Sequence, residues 1–169
     1  LASLGLEEGD LACGPHEPLS GRGARLWRDS GQPLTRLHNN CSGKHAGFIC
    51  LACHMCSQVA GGQPLFAYAK GYVKAEHPVM REVTHALQTA TDWDLSRAPQ
   101  GIDGCSIPTF GIPLQHLARA FARLGTGIGL SEDHARAAQR LRQAVAKAPF
   151  MVGGTDRFDT RVMQRLGER

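Results

Sequence analysis

The chain lacks any apolar run long enough to cross a lipid bilayer, so its sequence does not predict a membrane-spanning protein. It starts at Leu1 instead of Met, and no basic-then-apolar signal segment stands at its start. We therefore expect a processed start or a piece of a longer protein.

A strong excess of charge is also missing, because the formal net charge is only +4. This balance is too mild to require nucleic acid as a partner.

One local basic pattern stands out against this mild charge. Arg157, Arg161, Arg165 and Arg169 recur every four residues, which would place them on one face of a helix. A phosphate-binding stripe, with nucleic acid as its partner, and a solvated helix face both fit this spacing. We favour the solvated face and expect no nucleic-acid partner.

The composition is that of a folded domain. With 169 residues, of which 42% are hydrophobic and 20% charged, the chain can bury a core and is not a disordered sequence. We expect residues 1–169 to form a single domain. The even cysteine count would permit three disulfides, but a chain of this size does not need such cross-links. We expect reduced thiols in the cytoplasm, some of them metal ligands; the cysteines are Cys13, Cys41, Cys50, Cys53, Cys56 and Cys105.

The periodicity of apolar residues predicts a helix-rich α/β (α+β) fold with short strands. A hairpin is expected from strands 24–27 and 34–37, with turn residues Asp29-Ser30-Gly31 between them. A further strand is expected at 106–110. The helices are predicted at 44–60, 78–90, 114–124, 132–147 and 158–166.

Segment 38–48, HNNCSGKHAGF, has the highest density of reactive groups in the sequence. A thiol, a hydroxyl, an amine and two imidazoles lie within eight residues, just where a helical pattern begins. A hydrophobic core cannot hold these groups without partners, because unpaired buried polar atoms cost free energy. The segment is therefore the best candidate for a functional site, at the start of a helix.

A zinc site is one interpretation of this segment. Cys41 offers a thiolate, and Lys44 offers an amine that can bind metal only when it is neutral. Cys105 offers a second thiolate from the turn at 102–106. The alternative is a buried Cys41 with a solvated Lys44 and no metal.

Other chemistries are weaker in this sequence. Cys50, Cys53 and Cys56 have the spacing of part of an iron–sulfur motif, but lie in a helical pattern, where packed thiols fit better. A Cys–His amidase could use Cys41 with His45 or His38. No serine in the chain is followed three residues later by lysine, the arrangement that activates a serine nucleophile.

Four ordered stretches resemble the rhizobial-type L-asparaginases, the asparaginase II family. They are 11–16 (LACGPH), 38–48 (HNNCSGKHAGF), 101–106 (GIDGCS) and 151–160 (MVGGTDRFDT). The resemblance covers nearly the whole chain, and its 11-residue segment is highly specific. The stretch around 53–72 departs from the family pattern because it is longer than expected, and a further lysine of the family would lie downstream of Arg169.

The resemblance implies a fold similar to serine β-lactamases and penicillin-binding proteins, and hydrolysis of L-asparagine to L-aspartate and ammonia. It implies Zn²⁺ held by Cys41, Lys44 and Cys105, with Asp103 and His45 near the substrate, and it implies a homodimer. The family's nucleophilic serine and its lysine would come from upstream, so the chain would correspond to the central part of such an enzyme.

Our main hypothesis from the sequence is a cytoplasmic, zinc-associated L-asparaginase whose nucleophile lies outside these residues. We keep as alternatives a non-catalytic zinc-binding module and a Cys–His amidase that uses Cys41.

Overall fold

The computed structural model describes residues 1–59, 62 and 64–167. They form a mainly helical structure with one small two-stranded sheet, which confirms the prediction of a helix-rich α/β (α+β) fold. The elements are α1 Gly21–Ser30, α2 Ser42–Ser57, α3 Leu65–Ala69, α4 Pro78–Thr91, β1 Gln100–Ile102, β2 Pro108–Phe110, α5 Leu114–Thr126, α6 Glu132–Lys147, α7 Pro149–Gly153 and α8 Phe158–Leu166.

The chain divides into two compact units. The first comprises Leu1–Ala86 and Ser96–Gly111, and the second comprises Leu87–Leu95 and Ile112–Arg169. All the residues predicted to form the site belong to the first unit. The expectation of one domain over residues 1–169 stays a prediction.

Helix α2 begins at the predicted site, with Cys41 as its N-cap residue. It ends at Ser57, before the predicted end at Ala60. Ala60 and Gly61 lie outside the described residues. The predicted helix in this region is therefore confirmed over Ser42–Ser57.

The predicted hairpin is wrong. Residues 24–27 lie inside helix α1. Ser20 caps the start of this helix by accepting a hydrogen bond from the Gly23 N–H at 3.3 Å. Gly31 ends the helix in the left-handed conformation, with φ 66°, so Asp29-Ser30-Gly31 is a helix end and not a hairpin turn. The second predicted strand, 34–37, is also absent, because its last two residues belong to a 3₁₀ turn at Arg36–His38.

The sheet of the first unit is a short antiparallel pair. Strand β1 pairs with β2 so that Gly101 lies opposite Thr109. The predicted strand 106–110 is confirmed over its last three residues, which form β2. Strand β1 was not predicted. The connection between the two strands carries Asp103 and Cys105.

Helices α5, α6 and α8 of the second unit are confirmed, whereas α7 was not predicted, since 152–155 was expected to be a loop. Helix α5 continues through Gly125 and ends at Thr126, where Gly127 adopts φ 78°. Ser131 caps α6 as predicted, by accepting from the His134 N–H. Pro149 starts α7, as proline suits the first turn of a helix.

The core of the first unit lies around α2 and the start of α4. Within the described residues, no helix combines the length and apolar character needed to span a membrane. The buried residues of this core are Leu6, Leu11, Cys13, Ile49, Ala52, Ala69, Tyr72, Val79, Met80, Cys105 and Ile107.

The end of α7 packs tightly against the start of α8 in the second unit. A Cβ atom added at Gly153 would lie 2.3 Å from Thr160 Oγ1 and 2.9 Å from the Thr160 backbone nitrogen. Thr160 is itself buried, and its hydroxyl donates to the Gly154 carbonyl at 2.8 Å. Glycine at 153 is therefore required for this contact.

We expect Gly153→Ala to lower the free energy of unfolding by about 1–3 kcal/mol, because the added methyl overpacks the contact with Thr160. Gly125→Ala is the matched control, since Gly125 is exposed within α5 and its new methyl would meet nothing within 4 Å. The control should raise stability by about 0.5–1 kcal/mol. Urea unfolding of both variants checks this, and a neutral result for Gly153→Ala would contradict it.

Candidate functional site

Cys41 is fixed at the start of α2 by the residue two positions before it. Asn39 Oδ1 accepts a hydrogen bond from the Cys41 N–H at 2.7 Å, and the Asn39 amide donates to the Gly14 carbonyl at 2.5 Å. The Cys41 carbonyl then accepts the first bond of the helix, from the His45 N–H at 3.0 Å. These bonds set the thiol at the beginning of the helix and join segment 38–48 to the stretch at 11–16.

Cys105 is held by a turn that Asp103 organises. Asp103 Oδ1 accepts from the backbone N–H groups of Cys105 and Ile107, both at 2.9 Å. The Asp103 N–H donates to the Ile107 carbonyl at 2.9 Å, and Ser106 adopts a positive φ of 70°. The carboxylate thus fixes the backbone that carries the second thiol.

The two segments meet at this carboxylate. Lys44 Nζ lies 3.2 Å from Asp103 Oδ2, and the two side chains are 39% and 34% exposed. The Cys105 thiol donates to Asp103, with Sγ 3.1 Å from Oδ1. The Lys44 ammonium and the Cys41 side chain also lie close enough to the Cys105 thiol to affect its pKa. The structure therefore brings Cys41, Lys44, Asp103 and Cys105 together.

The charges of this cluster depend on one another. Burial disfavours ionisation of Asp103, but the Cys105 thiol, the backbone N–H groups and Lys44 outweigh it and hold the pKa of the carboxyl well below its usual range. Burial lowers the pKa of Lys44, but its bonds to Cys105 and Asp103 outweigh this effect and raise it. Burial, with the neighbouring Asp103, raises the pKa of Cys105 to about 11. Without metal, the cluster is thus an ion pair beside a protonated thiol.

His45, which was predicted near the substrate, points into the core. Its side chain has no exposed surface, and its Nδ1 lies 2.6 Å from the Tyr72 hydroxyl. Its Nε2 has no hydrogen-bond partner. Burial, with the nearby Lys44 charge, lowers the pKa of the imidazole. Asp103 is therefore the half-exposed member of the pair predicted near the substrate, and His45 is the buried one.

Three residues around the site were not given a role from the sequence. Tyr72 bonds His45, and Asn39 positions Cys41. Cys13 is buried, as Cys105 is, and its Sγ lies 3.7 Å from the Arg36 carbonyl. Burial raises the pKa of this thiol. Of these three residues, only Asn39 could have been predicted from the sequence, because a short polar side chain before a helix often hydrogen-bonds to nearby backbone groups.

The donor set fits a thiophilic metal in its chemistry. The two thiols and the amine are groups that bind Zn²⁺ once they lose their protons, and both Cys41 and Lys44 act on the Cys105 thiol. Within the described residues, no group of three or more His, Cys, Asp or Glu side chains is arranged to hold a metal ion. The third ligand of the predicted zinc site is Lys44, and lysine is not among these four residue types.

A cavity of about 340 Å³ also lies in the first unit, but the residues that line it are not those of the cluster. Tyr72, Arg36 and Lys70 contribute to its wall, with residues from a 3₁₀ turn at Glu8–Asp10 and from α3. None of the five predicted site residues lines it. The cavity is therefore not the predicted substrate site.

The competing chemistries find little support in the geometry. Neither ring nitrogen of His45 is placed to take a proton from Cys41, since Nδ1 is bonded to Tyr72 and Nε2 has no partner. His38 Nδ1 is bonded to Thr35. On α2, Cys50 is exposed, so the expectation of packed thiols is wrong for this residue. Cys53 and Cys56 are half-buried.

The arginine pattern lies in the second unit. Arg157 is the N-cap residue of α8, and Arg161 and Arg165 lie within the helix. All three are exposed. Arg169, the last member of the predicted stripe, lies outside the described residues.

We expect Asp103→Asn to lower the free energy of unfolding by about 1–3 kcal/mol, because one carboxylate satisfies two backbone N–H groups, a thiol and an ammonium. Asp92→Asn is the control, since Asp92 makes an exposed ion pair with Arg119. That pair should be worth at most about 1 kcal/mol. Chemical denaturation of both variants measures the difference, and equal losses would argue against the organising role of Asp103.

Comparison with known proteins identifies the family of the chain. No curated protein matches the chain. The family model described as L-asparaginase II matches residues 1–169, which is the whole chain. The match therefore includes both segments that meet at Asp103, and it shows that the chain belongs to the asparaginase II family.

Proposed function

We propose that this chain forms the metal- and substrate-binding part of a zinc-associated L-asparaginase, which converts L-asparagine to L-aspartate and ammonia. Membership of the asparaginase II family supports an amidohydrolase that acts on a small molecule. The observation that carries the finer proposal is the meeting of Cys41, Lys44 and Cys105 around Asp103. Cys105 lies more than 60 residues after Cys41 and Lys44 in the sequence, and the convergence of the two segments is expected of a site.

Cys41, Lys44 and Cys105 would hold Zn²⁺ in this proposal. When bound, the metal supplies a positive centre that steadies the polar end of the substrate. The chain contributes the donors, and both thiols and the Lys44 amine give up their protons to bind. Asp103 and the backbone of its turn keep the Cys105 thiol in place during this exchange.

Asp103 is proposed to bind the α-ammonium group of L-asparagine. The Lys44 ammonium now lies 3.2 Å from Asp103 Oδ2, so this oxygen already accepts a primary ammonium group. If the Lys44 amine turns to the metal, Oδ2 is left to accept the same type of group from a substrate. The half-exposed position of Asp103 allows a ligand to reach it. His45 supports the site from the core without touching the substrate.

The nucleophile is proposed to lie outside these residues, because no serine in the chain has lysine three positions later. A lysine would deprotonate the serine, which attacks the side-chain amide carbon. Ammonia leaves, and water then hydrolyses the acyl-enzyme. We further propose that the chain is the central part of a single domain with a fold similar to serine β-lactamases and penicillin-binding proteins.

The cellular setting follows from the thiols. All six cysteines are free, and zinc-binding thiols need a reducing compartment. We therefore propose a cytoplasmic location. A homodimer is proposed on the basis of the family alone.

Hydrolysis is tested by ammonia release from L-asparagine, with the 169-residue chain and with the product of its complete reading frame. We expect activity in the complete product, and loss of about 100-fold or more in its kcat/KM on Asp103→Ala, because the substrate loses its ammonium partner. The Cys50→Ser variant is the control, since Cys50 is exposed on α2. The 169-residue chain alone should be almost inactive.

Robust activity of the 169-residue chain would contradict an external nucleophile. Loss of that activity on Cys41→Ala, but not on Ser42→Ala, would then favour the Cys–His amidase. Absence of activity toward L-asparagine in the complete product would reject the proposed substrate.

Zinc binding is tested by the metal content of the purified chain after dialysis against Zn²⁺. We expect one Zn²⁺ per wild-type chain and none in Cys41→Ser or Cys105→Ser, whereas Cys50→Ser should keep its metal. A chelator should shift the thermal melt only modestly if the metal serves the site. Unfolding on removal of the metal would favour the non-catalytic zinc module.

A further inference from the structure

His16 lies between two backbone segments of the first unit and uses both of its ring nitrogens. The Asn40 N–H donates to His16 Nε2 at 3.0 Å, and His16 Nδ1 lies 2.6 Å from the Glu17 carbonyl oxygen. Asn40 directly precedes Cys41, the N-cap residue of α2. The imidazole therefore joins stretch 11–16 to the turn that carries the first proposed zinc ligand.

The two backbone groups fix the direction of both bonds. A backbone N–H can only donate, so Nε2 accepts from Asn40, and a carbonyl oxygen can only accept, so Nδ1 donates its proton to Glu17. The Asn40 side-chain amide lies at the same nitrogen, with Oδ1 2.9 Å from Nε2. Turning this amide by 180° presents its NH₂ group to Nε2 as a second donor. A neutral His16 thus has a partner at each ring nitrogen.

The turn before Cys41 has a second anchor on the same stretch. The Asn39 side chain joins the Gly14 carbonyl to the Cys41 N–H, and the Asn39 carbonyl accepts from the Ser42 N–H at 3.0 Å. One anchor would leave the turn free to rotate about it, whereas bonds from both Asn39 and Asn40 fix its orientation. Because Asn40 is joined to Cys41 by one peptide bond, that orientation sets the direction of the Cys41 side chain.

The stretch that carries His16 is itself held in place. The Ala12 N–H donates to the buried Tyr72 hydroxyl at 2.9 Å, and Glu17 pairs with Arg28 of α1 at 2.7 Å. Pro15 also fixes one backbone dihedral angle directly before His16. His16 can therefore restrain the turn at Asn40 instead of moving with it.

We propose that His16 is a positioning residue, which accepts the Asn40 N–H and thereby holds the Cys41 thiol in the direction that the zinc site requires. This inference rests on the proposed function, because the site that it would serve is the one formed by Cys41, Lys44 and Cys105. His16 touches neither metal nor substrate in this role.

The competing explanation is that His16 only adds to the stability of the fold. Its side chain is half-buried and Asn40 is exposed, so water can take the place of their bond, and its loss should change the free energy of unfolding little. A loss of metal affinity without a matching loss of stability therefore separates the two explanations.

Two amide variants separate the two bonds of His16. The amide of glutamine reaches as far from the backbone as Nε2, so His16→Gln can still accept the Asn40 N–H. The amide of asparagine reaches only as far as Nδ1, so His16→Asn keeps a donor for Glu17 but loses the bond to Asn40. His54→Asn is the matched control, because His54 is exposed on α2 and its Nε2 lies 3.0 Å from Gln58 Nε2 at the end of the same helix.

The first measurement is nuclear magnetic resonance of the ¹⁵N-labelled, metal-free chain. The Glu17 carbonyl, with the Asn40 side chain, raises the pKa of His16, so a mildly alkaline buffer is used to keep the ring neutral. In the wild type we expect a ¹⁵N–¹⁵N coupling across the hydrogen bond from the Asn40 N–H to Nε2. Hydrogen exchange at Asn40 and Cys41 should be at least about tenfold faster in His16→Asn and unchanged in His16→Gln and His54→Asn.

The second measurement is the dissociation constant for Zn²⁺, by competition with a chromophoric chelator. We expect about tenfold weaker binding in His16→Asn, because the supporting groups around metal ligands tune affinity to this extent. Binding in His16→Gln and His54→Asn should stay within about twofold of the wild type. Urea unfolding of the metal-free chains should give similar stabilities for all three variants.

Absence of the ¹⁵N–¹⁵N coupling in the wild type would overturn the proposal even if His16→Asn did not fold. Equal exchange in His16→Asn and the wild type would overturn it as well, as would equal losses of Zn²⁺ affinity in His16→Asn and His16→Gln. An affinity loss no larger than the loss of stability would favour the purely structural explanation.

The coupling and the exchange rates need neither zinc nor L-asparagine. If they are as expected but the wild type binds no Zn²⁺, the proposed function fails and the anchoring of the turn by His16 stands. If Zn²⁺ binds equally well to the wild type and His16→Asn, only the role of His16 is rejected.

Discussion

The carboxylate of Asp103 is the group on which the organisation of the site depends. It satisfies backbone N–H groups of its own turn with one oxygen and meets Lys44 of another segment with the other. Because these partners favour the ionised form, the carboxylate stays charged although it is partly buried. A neutral residue at this position would leave the turn, the thiol and the lysine without a common partner.

The site has a different character on its two sides. Toward solvent it presents Lys44 and Asp103, which a polar ligand can reach. Toward the core it rests on His45 and Tyr72, which have almost no exposed surface and are joined by a hydrogen bond. An exposed charged face on a buried base suits a site that must exchange a proton or an ion pair for a ligand.

The sequence predicted the parts of the fold that have strong local signals. Helices α2, α4, α6 and α8 were found because apolar periodicity agreed with capping residues such as Ser131. Helix α1 was missed because its apolar run is short and can equally be an extended strand. Strand β1 was missed because Gln100-Gly101-Ile102 has no alternating pattern. Its neighbours across the sheet, not its own residues, determine its conformation.

The candidate site was predictable only in part. Segment 38–48 was identified from its density of reactive groups, and the link to Cys105 came from a resemblance to a family. Tyr72 had no such signal, because its hydroxyl gains a role only when folding brings it to His45, 27 residues away in sequence. Long-range pairs between buried polar atoms are decided by packing, which a single sequence does not show.

The donors of the cluster come from two short stretches, and each is shaped mainly by bonds within itself. Hydrogen bonds between Asn39, Cys41 and His45 fix the backbone of the first stretch. Asp103 fixes the second stretch by accepting hydrogen bonds from the Cys105 and Ile107 N–H groups. Lys44 and Asp103 are 59 residues apart. An insertion or deletion in the connecting chain would therefore leave the internal bonds of both stretches intact, provided that Tyr72, which lies within that chain, keeps its bond to His45.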